Sequence, residues 1–78
     1  MIITPLEKLK SPKVGCECYE IDLKANGLPT EDRSEVEAIL KIGMNIEIND
    51  KPYTLVGVHY FAVNFLPYGK VGILATPK

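Results

Sequence analysis

Residues Tyr53 to Val63 read YTLVGVHYFAV, a strand-forming run without a polar face. Successive side chains of a strand point to opposite sides of its sheet. Tyr53, Leu55, His59, Phe61 and Val63 therefore share one parity, and Val56, Val58, Tyr60 and Ala62 share the other. Both sets are apolar enough to demand cover, yet a flat sheet under one small helix covers only one face. Two solutions remain. The sheet coils into a small SH3-like barrel, with Gly57 or Gly72 at a sharp bend, or the second face stays open for a partner.

The flanking segments favour a meander. Met44, Ile46 and Ile48 alternate with Asn45, Glu47 and Asn49, which is a one-sided strand. Asn49–Asp50–Lys51–Pro52 reads as a turn, and so does Leu66–Pro67–Tyr68–Gly69, before a last strand from Val71 to Thr76. Three consecutive strands joined by short turns pair antiparallel.

Upstream, Tyr19, Ile21 and Leu23 alternate with Glu20, Asp22 and Lys24, whereas Val14, Cys16 and Cys18 lie on the opposite parity. The apolar face switches near Cys18–Tyr19, either through a bulge or because that end is buried on both sides. In PTEDRSEVEAILKIG, Thr30 or Ser34 can cap a helix, and Val36, Ile39 and Leu40 fall on one helical face. Lys41 suits the last turn and Gly43 the residue beyond the end, giving a helix over 31–42. At the N-terminus, Thr4, Pro5 and Glu7 have the spacing of a capped helical turn over 5–10, limited by Pro12. The expected fold class is α+β: a small antiparallel sheet, or partly open SH3-like barrel, of about four strands, with one main helix and a short N-terminal helical turn.

A chain of 78 residues is expected to form a single domain, 1–78. Its formal net charge of −1 argues mildly against a dedicated nucleic-acid binder, whose domain is usually basic. No run approaches the ~20 apolar residues of a membrane-spanning helix. The start MIITPLEKLK lacks the basic head and apolar centre of a signal peptide. The expected location is therefore the cytoplasm, or a virion if the chain is phage-derived.

Little in the sequence suggests catalysis. It contains no phosphate-cradling glycine loop, no GxSxG and no HExxH. His59, the only histidine, lies within a strand and is read as structural. Cys16 and Cys18 share a strand face, but a zinc site wants four ligands and only His59 offers a further soft one. They are read as small buried hydrophobes. The expectation is a non-enzyme with no metal and no cofactor.

The aromatic cluster is the main functional signal. Phe65, Leu66 and Tyr68 fall in an apolar loop tip where polar residues are the rule, and Tyr60 precedes it. Aromatic residues of this kind anchor protein interfaces. The first expectation is a non-catalytic protein-interaction module, of accessory, inhibitory or assembly type as in phages or mobile elements. It would dock on itself or on another protein through Tyr60, Phe65, Leu66, Tyr68 and the adjoining sheet edge. The second is a nucleic-acid-binding small barrel in which Lys8, Lys10, Lys13, Lys51 and Lys70 converge and a tyrosine stacks on bases. A third is a structural subunit that pairs with its neighbours edge to edge.

Overall fold

The computed structural model describes residues 1–60 and 69–78. Six strands form one sheet: β1 (Ile2–Ile3), β2 (Pro5–Leu9), β3 (Glu17–Asp22), β4 (Asn45–Ile48), β5 (Lys51–His59) and β6 (Lys70–Pro77). A single turn of 3-10 helix (Lys24–Asn26) follows β3, and α1 (Arg33–Ile39), the one α-helix among the described residues, precedes β4. The strand order is β1-β4-β5-β6-β3-β2. All neighbours are antiparallel except β1 and β4, which run parallel.

The expected meander is present as β4-β5-β6. Its first turn is tighter than the sequence suggested. Asn49 and Asp50 both have positive φ, at 52° and 65°, and Ile48 pairs directly with Lys51. This is the two-residue hairpin whose twist matches that of its strands, and Asn and Asp tolerate the left-handed region. Lys51 and Pro52 thus belong to β5 and not to the turn.

The N-terminal segment overturns an expectation. Residues 5–9 are a strand, not a helical turn. An isolated helix of one or two turns is marginal in water, whereas the edge of β3 offers this segment a ready ladder: Lys8 pairs with Tyr19 and Leu9 with Cys18. Thr4 does not cap a helix. Its N–H donates to Asn26 Oδ1 at 2.8 Å, and its carbonyl accepts from Asn26 Nδ2 at 3.1 Å. The same Nδ2 also donates to the Asp22 carbonyl at 2.8 Å.

This clamp explains how the sheet curls. β1 lies on the outer side of β4 and β2 on the outer side of β3, so the two ends of the sheet belong to one short piece of chain hinged at Thr4. The first half seals one edge and the second half the other, which brings six strands nearly into a closed barrel. The count is six, not about four, because these two short strands carry no alternation that marks them in the sequence.

The long strand solves its two-faced problem with a bulge. The β5–β6 register shifts between Leu55 and Gly57. Tyr53 and Leu55 are buried in the core; beyond the shift, Val58 and Tyr60 pack on that same core, while His59 pairs with Gly72 on the outer side. One extra residue exchanges the faces and sharpens the local twist. Simple parity therefore misassigned His59, Val58 and Tyr60. Phe61, Ala62 and Val63 lie outside the described residues.

In β3 the switch near Cys18 is burial on both sides. The ladder to β6 runs from Glu17 to Asp22 without a shift. Tyr19 and Ile21 face the core, and Cys18 is buried on the other side beside Leu9. Val14 is fully exposed and outside the strand.

The helix is shorter than 31–42. Asp32, rather than Thr30 or Ser34, is the N-cap; its carboxylate accepts from both the backbone N–H and the hydroxyl of Ser34 at 2.9 Å. These two bonds hold the Asp32 carboxyl below the usual carboxylate range. Leu40 ends the helix, and Gly43 at φ +90° redirects the chain so that its N–H reaches the Leu55 carbonyl at 2.7 Å. Val36 and Leu40 enter the core, but Ile39 is 40% exposed and Ile42 79%, so the predicted apolar face holds for two of its three residues.

Candidate functional site: a lysine-rimmed cleft at the barrel seam

The barrel is not sealed along its whole seam. β2 pairs with β3 on one side, and among the described residues no backbone hydrogen bond reaches its other side. Between β2 and the β4–β5 hairpin lies an open cleft of about 460 Å³. Lys8 stands on one wall and Asn49, Lys51 and Pro52 on the other, with Pro77 and Lys78 closing the end. Its floor is Glu17 with the tips of Tyr19 and Tyr53.

Local sequence explains the floor. Glu17 and Tyr19 are two apart on β3 and share its inner face. Tyr53 reaches them across β6 from β5, and the two rings meet edge to face with centroids 6.3 Å apart. Both hydroxyls donate to one oxygen, Glu17 Oε1, at 2.8 Å from Tyr19 and 3.2 Å from Tyr53. Lys8 Nζ joins that oxygen at 3.2 Å. Glu17 Oε2 has no partner among the described residues. The hydrogen bond from Tyr19, helped by Lys8, holds the Glu17 carboxyl below its ordinary range although burial opposes this. The Tyr19 hydroxyl is pushed well above its ordinary value, by burial first and then by the neighbouring Tyr53 hydroxyl and Glu17 carboxylate. Both groups are thereby fixed in their ordinary neutral-pH forms, carboxylate and phenol.

The cleft carries three lysines against one carboxylate, and Lys51 and Lys78 form no ion pair among the described residues. Tyr19 and Tyr53 are only 6% and 4% exposed, so they offer almost no stacking surface.

Of the five lysines read as a possible nucleic-acid face, Lys8 and Lys51 meet in this cleft. Lys10 lines a separate groove on the outer side with Leu9, Pro12, Cys18, Glu20 and His59. Lys13 sits in the loop before β3, and Lys70 opens β6 at the end away from Lys78. Among the residues read as a docking tip, Tyr60 is half-buried against the core, with the Arg33 guanidinium 4.0 Å from its ring centre. Its hydroxyl is buried without a hydrogen-bond partner among the described residues, and burial, then the charge of Glu37, raises its pKa. Phe65, Leu66 and Tyr68 lie outside the described residues.

Sequence reasoning missed Glu17, Asn49 and Lys78 as members of one site. The Glu-x-Tyr spacing at 17 and 19 was the available signal, since it puts an acceptor and a donor on one strand face. Both cysteines are free thiols, and no three histidine, cysteine, aspartate or glutamate side chains gather to hold a metal among the described residues. No helix among them is long and apolar enough to cross a membrane.

The fold and cleft together define a small α+β barrel with an open seam. Comparison with protein-family models, curated proteins and solved structures gave no match to this chain.

Proposed function

We propose that this chain is a non-catalytic protein-interaction module, of accessory, inhibitory or assembly type, that docks at the free edge of β2 and the cleft beside it. One observation carries the reading: the outer edge of β2 has no strand partner among the described residues, and Lys8 of β2 lines a cleft in which Lys51 and Lys78 form no ion pair among those residues. Unpaired strand edges are natural templates for another chain. Phe65, Leu66 and Tyr68, which lie outside the described residues, belong to the same reading as a second contact on sequence grounds alone.

The test is affinity capture from the native host, with partners identified by mass spectrometry, comparing the wild type with Lys51→Glu/Lys78→Glu. Loss of a specific protein from the variant, with an unchanged circular dichroism spectrum, supports the reading. Identical partner sets overturn it.

Lys8 and Lys51 in one cleft also support nucleic-acid binding. Titration with single- and double-stranded oligonucleotides at low salt tests that alternative, and silence at tens of micromolar removes it. The same free edge serves the third reading, a subunit that pairs with its own copies, which a concentration-independent monomer in light scattering would count against.

A further inference from the structure

We infer that the seam accepts an extended acidic segment of a partner protein as an added strand alongside β2, with acidic side chains at alternate positions. The inference rests on the interaction reading above and specifies its partner.

Three features converge on it. The first is backbone geometry. β2 is the last strand of the sheet, and its outer side makes no backbone hydrogen bonds among the described residues. An added strand supplies the missing ladder and narrows the barrel's gap. The cleft lies at the ends of β5 and β6 that carry Lys51 and Lys78, remote from residues 60 and 69.

The second is charge. Lys8, Lys51 and Lys78 line the opening against the single side-chain carboxylate of Glu17, in a chain whose net charge is −1. The acidic residues of α1 and its approach, Glu31, Asp32, Glu35 and Glu37, do not line this cleft. With Lys8 paired to Glu17, Lys51 and Lys78 are left as a local excess of positive charge in a chain that is mildly acidic as a whole. A positive seam on a mildly acidic protein selects a ligand by where its charge sits and not merely by its total.

The third is spacing. In a strand, every second side chain points to the same side. A segment laid along β2 directs alternate residues over the lysines and the others to solvent, so the favoured pattern is acid-x-acid. Glu17 sets a complementary condition. With all three of its donors on Oε1, Oε2 is left to accept an N–H from the ligand. The near-total burial of Tyr19 and Tyr53 disfavours ligands that need an aromatic platform, such as unstacked bases.

The test uses the full chain and three synthetic peptides in fluorescence-anisotropy titrations. The first alternates glutamate with threonine. The second has the same composition with its glutamates in one block. The third is the alternating peptide with N-methyl groups on alternate backbone nitrogens, in versions covering both registers. The inference expects the alternating peptide to bind best, to weaken as salt rises, and to weaken about tenfold on Lys51→Glu/Lys78→Glu, which replaces two exposed ion pairs with repulsion. At least one N-methylated version loses binding, because strand addition needs backbone donors. Equal binding of the block peptide, or full binding of every N-methylated version, overturns it. So does tighter binding of a single-stranded oligonucleotide of equal charge. If no peptide binds while Lys51→Glu/Lys78→Glu still abolishes capture of a host protein, this inference falls and the interaction reading stands.

Discussion

Replacing Asn26 with alanine removes three hydrogen bonds at the point where the barrel closes. Two of them hold the Thr4 backbone, at 2.8 and 3.1 Å, and the third holds the Asp22 carbonyl at 2.8 Å. A hydrogen bond contributes a net ~0.5–1.5 kcal/mol, and solvent reaches two of these three, so the expected loss is about 2 kcal/mol. A domain of this length has a total stability of roughly 4–12 kcal/mol, and the melting temperature should fall by roughly 10 °C. Urea denaturation of the wild type, Asn26→Ala, Asn26→Asp and Thr4→Ala measures the effect. Asn26→Asp keeps one acceptor but sets a carboxylate against two carbonyl oxygens, so its loss should match that of alanine. Thr4→Ala should be nearly neutral, because Asn26 holds only the main chain of Thr4. Amide exchange should quicken first at Ile3 and along β2, the two halves of the hinged segment. A loss below about 0.5 kcal/mol in Asn26→Ala, or an equal loss in Thr4→Ala, would refute the assignment of barrel closure to this clamp.

Three further outcomes follow from the same structure. The Glu17 carboxyl titrates below its ordinary value, so it adds stability above about pH 4.3 that is lost as pH falls through the lowered folded value; Lys8→Met should move its NMR titration midpoint upward, and an unmoved midpoint would contradict the contact. Gly27 adopts φ +71° with nothing within 4 Å of an added Cβ, so Gly27→Ala should cost only the left-handed backbone penalty, about 1 kcal/mol by thermal melting, and Gly27→Asn should cost less. Tyr60→Phe removes a buried hydroxyl with no partner among the described residues, so denaturation should show stability unchanged or raised; a clear loss would reveal a bond to that oxygen.

The alternation of Met44 to Ile48 made β4 legible, and β-branched and aromatic content did the same for β5 and β6. These are local signals, because one buried face imposes a period of two wherever it occurs. The helix centre was legible through Val36 and Leu40. Its ends were not, since Thr30, Asp32 and Ser34 are all competent caps and only the docked position of the helix selects Asp32. The candidate cleft was half visible: Lys8 and Lys51 stood out as cations, and Glu17 and Lys78 did not.

By itself, then, the sequence determined that a chain with a two-faced apolar strand must close on itself or be covered, and that its last three strands form a meander. The tertiary structure decided the manner of closure. Residues 5–9 have the spacing of a helical turn, yet they become β2 because the open edge of β3 satisfies more of their backbone than one helical turn can. The bulge at Leu55–Gly57 reverses His59 and Val58, because curvature around a small core outweighs strict alternation. The lysines of the seam are scattered at 8, 51 and 78, and they share a cleft only because a strand hinged at Thr4 carries the start of the chain from one edge of the sheet to the other.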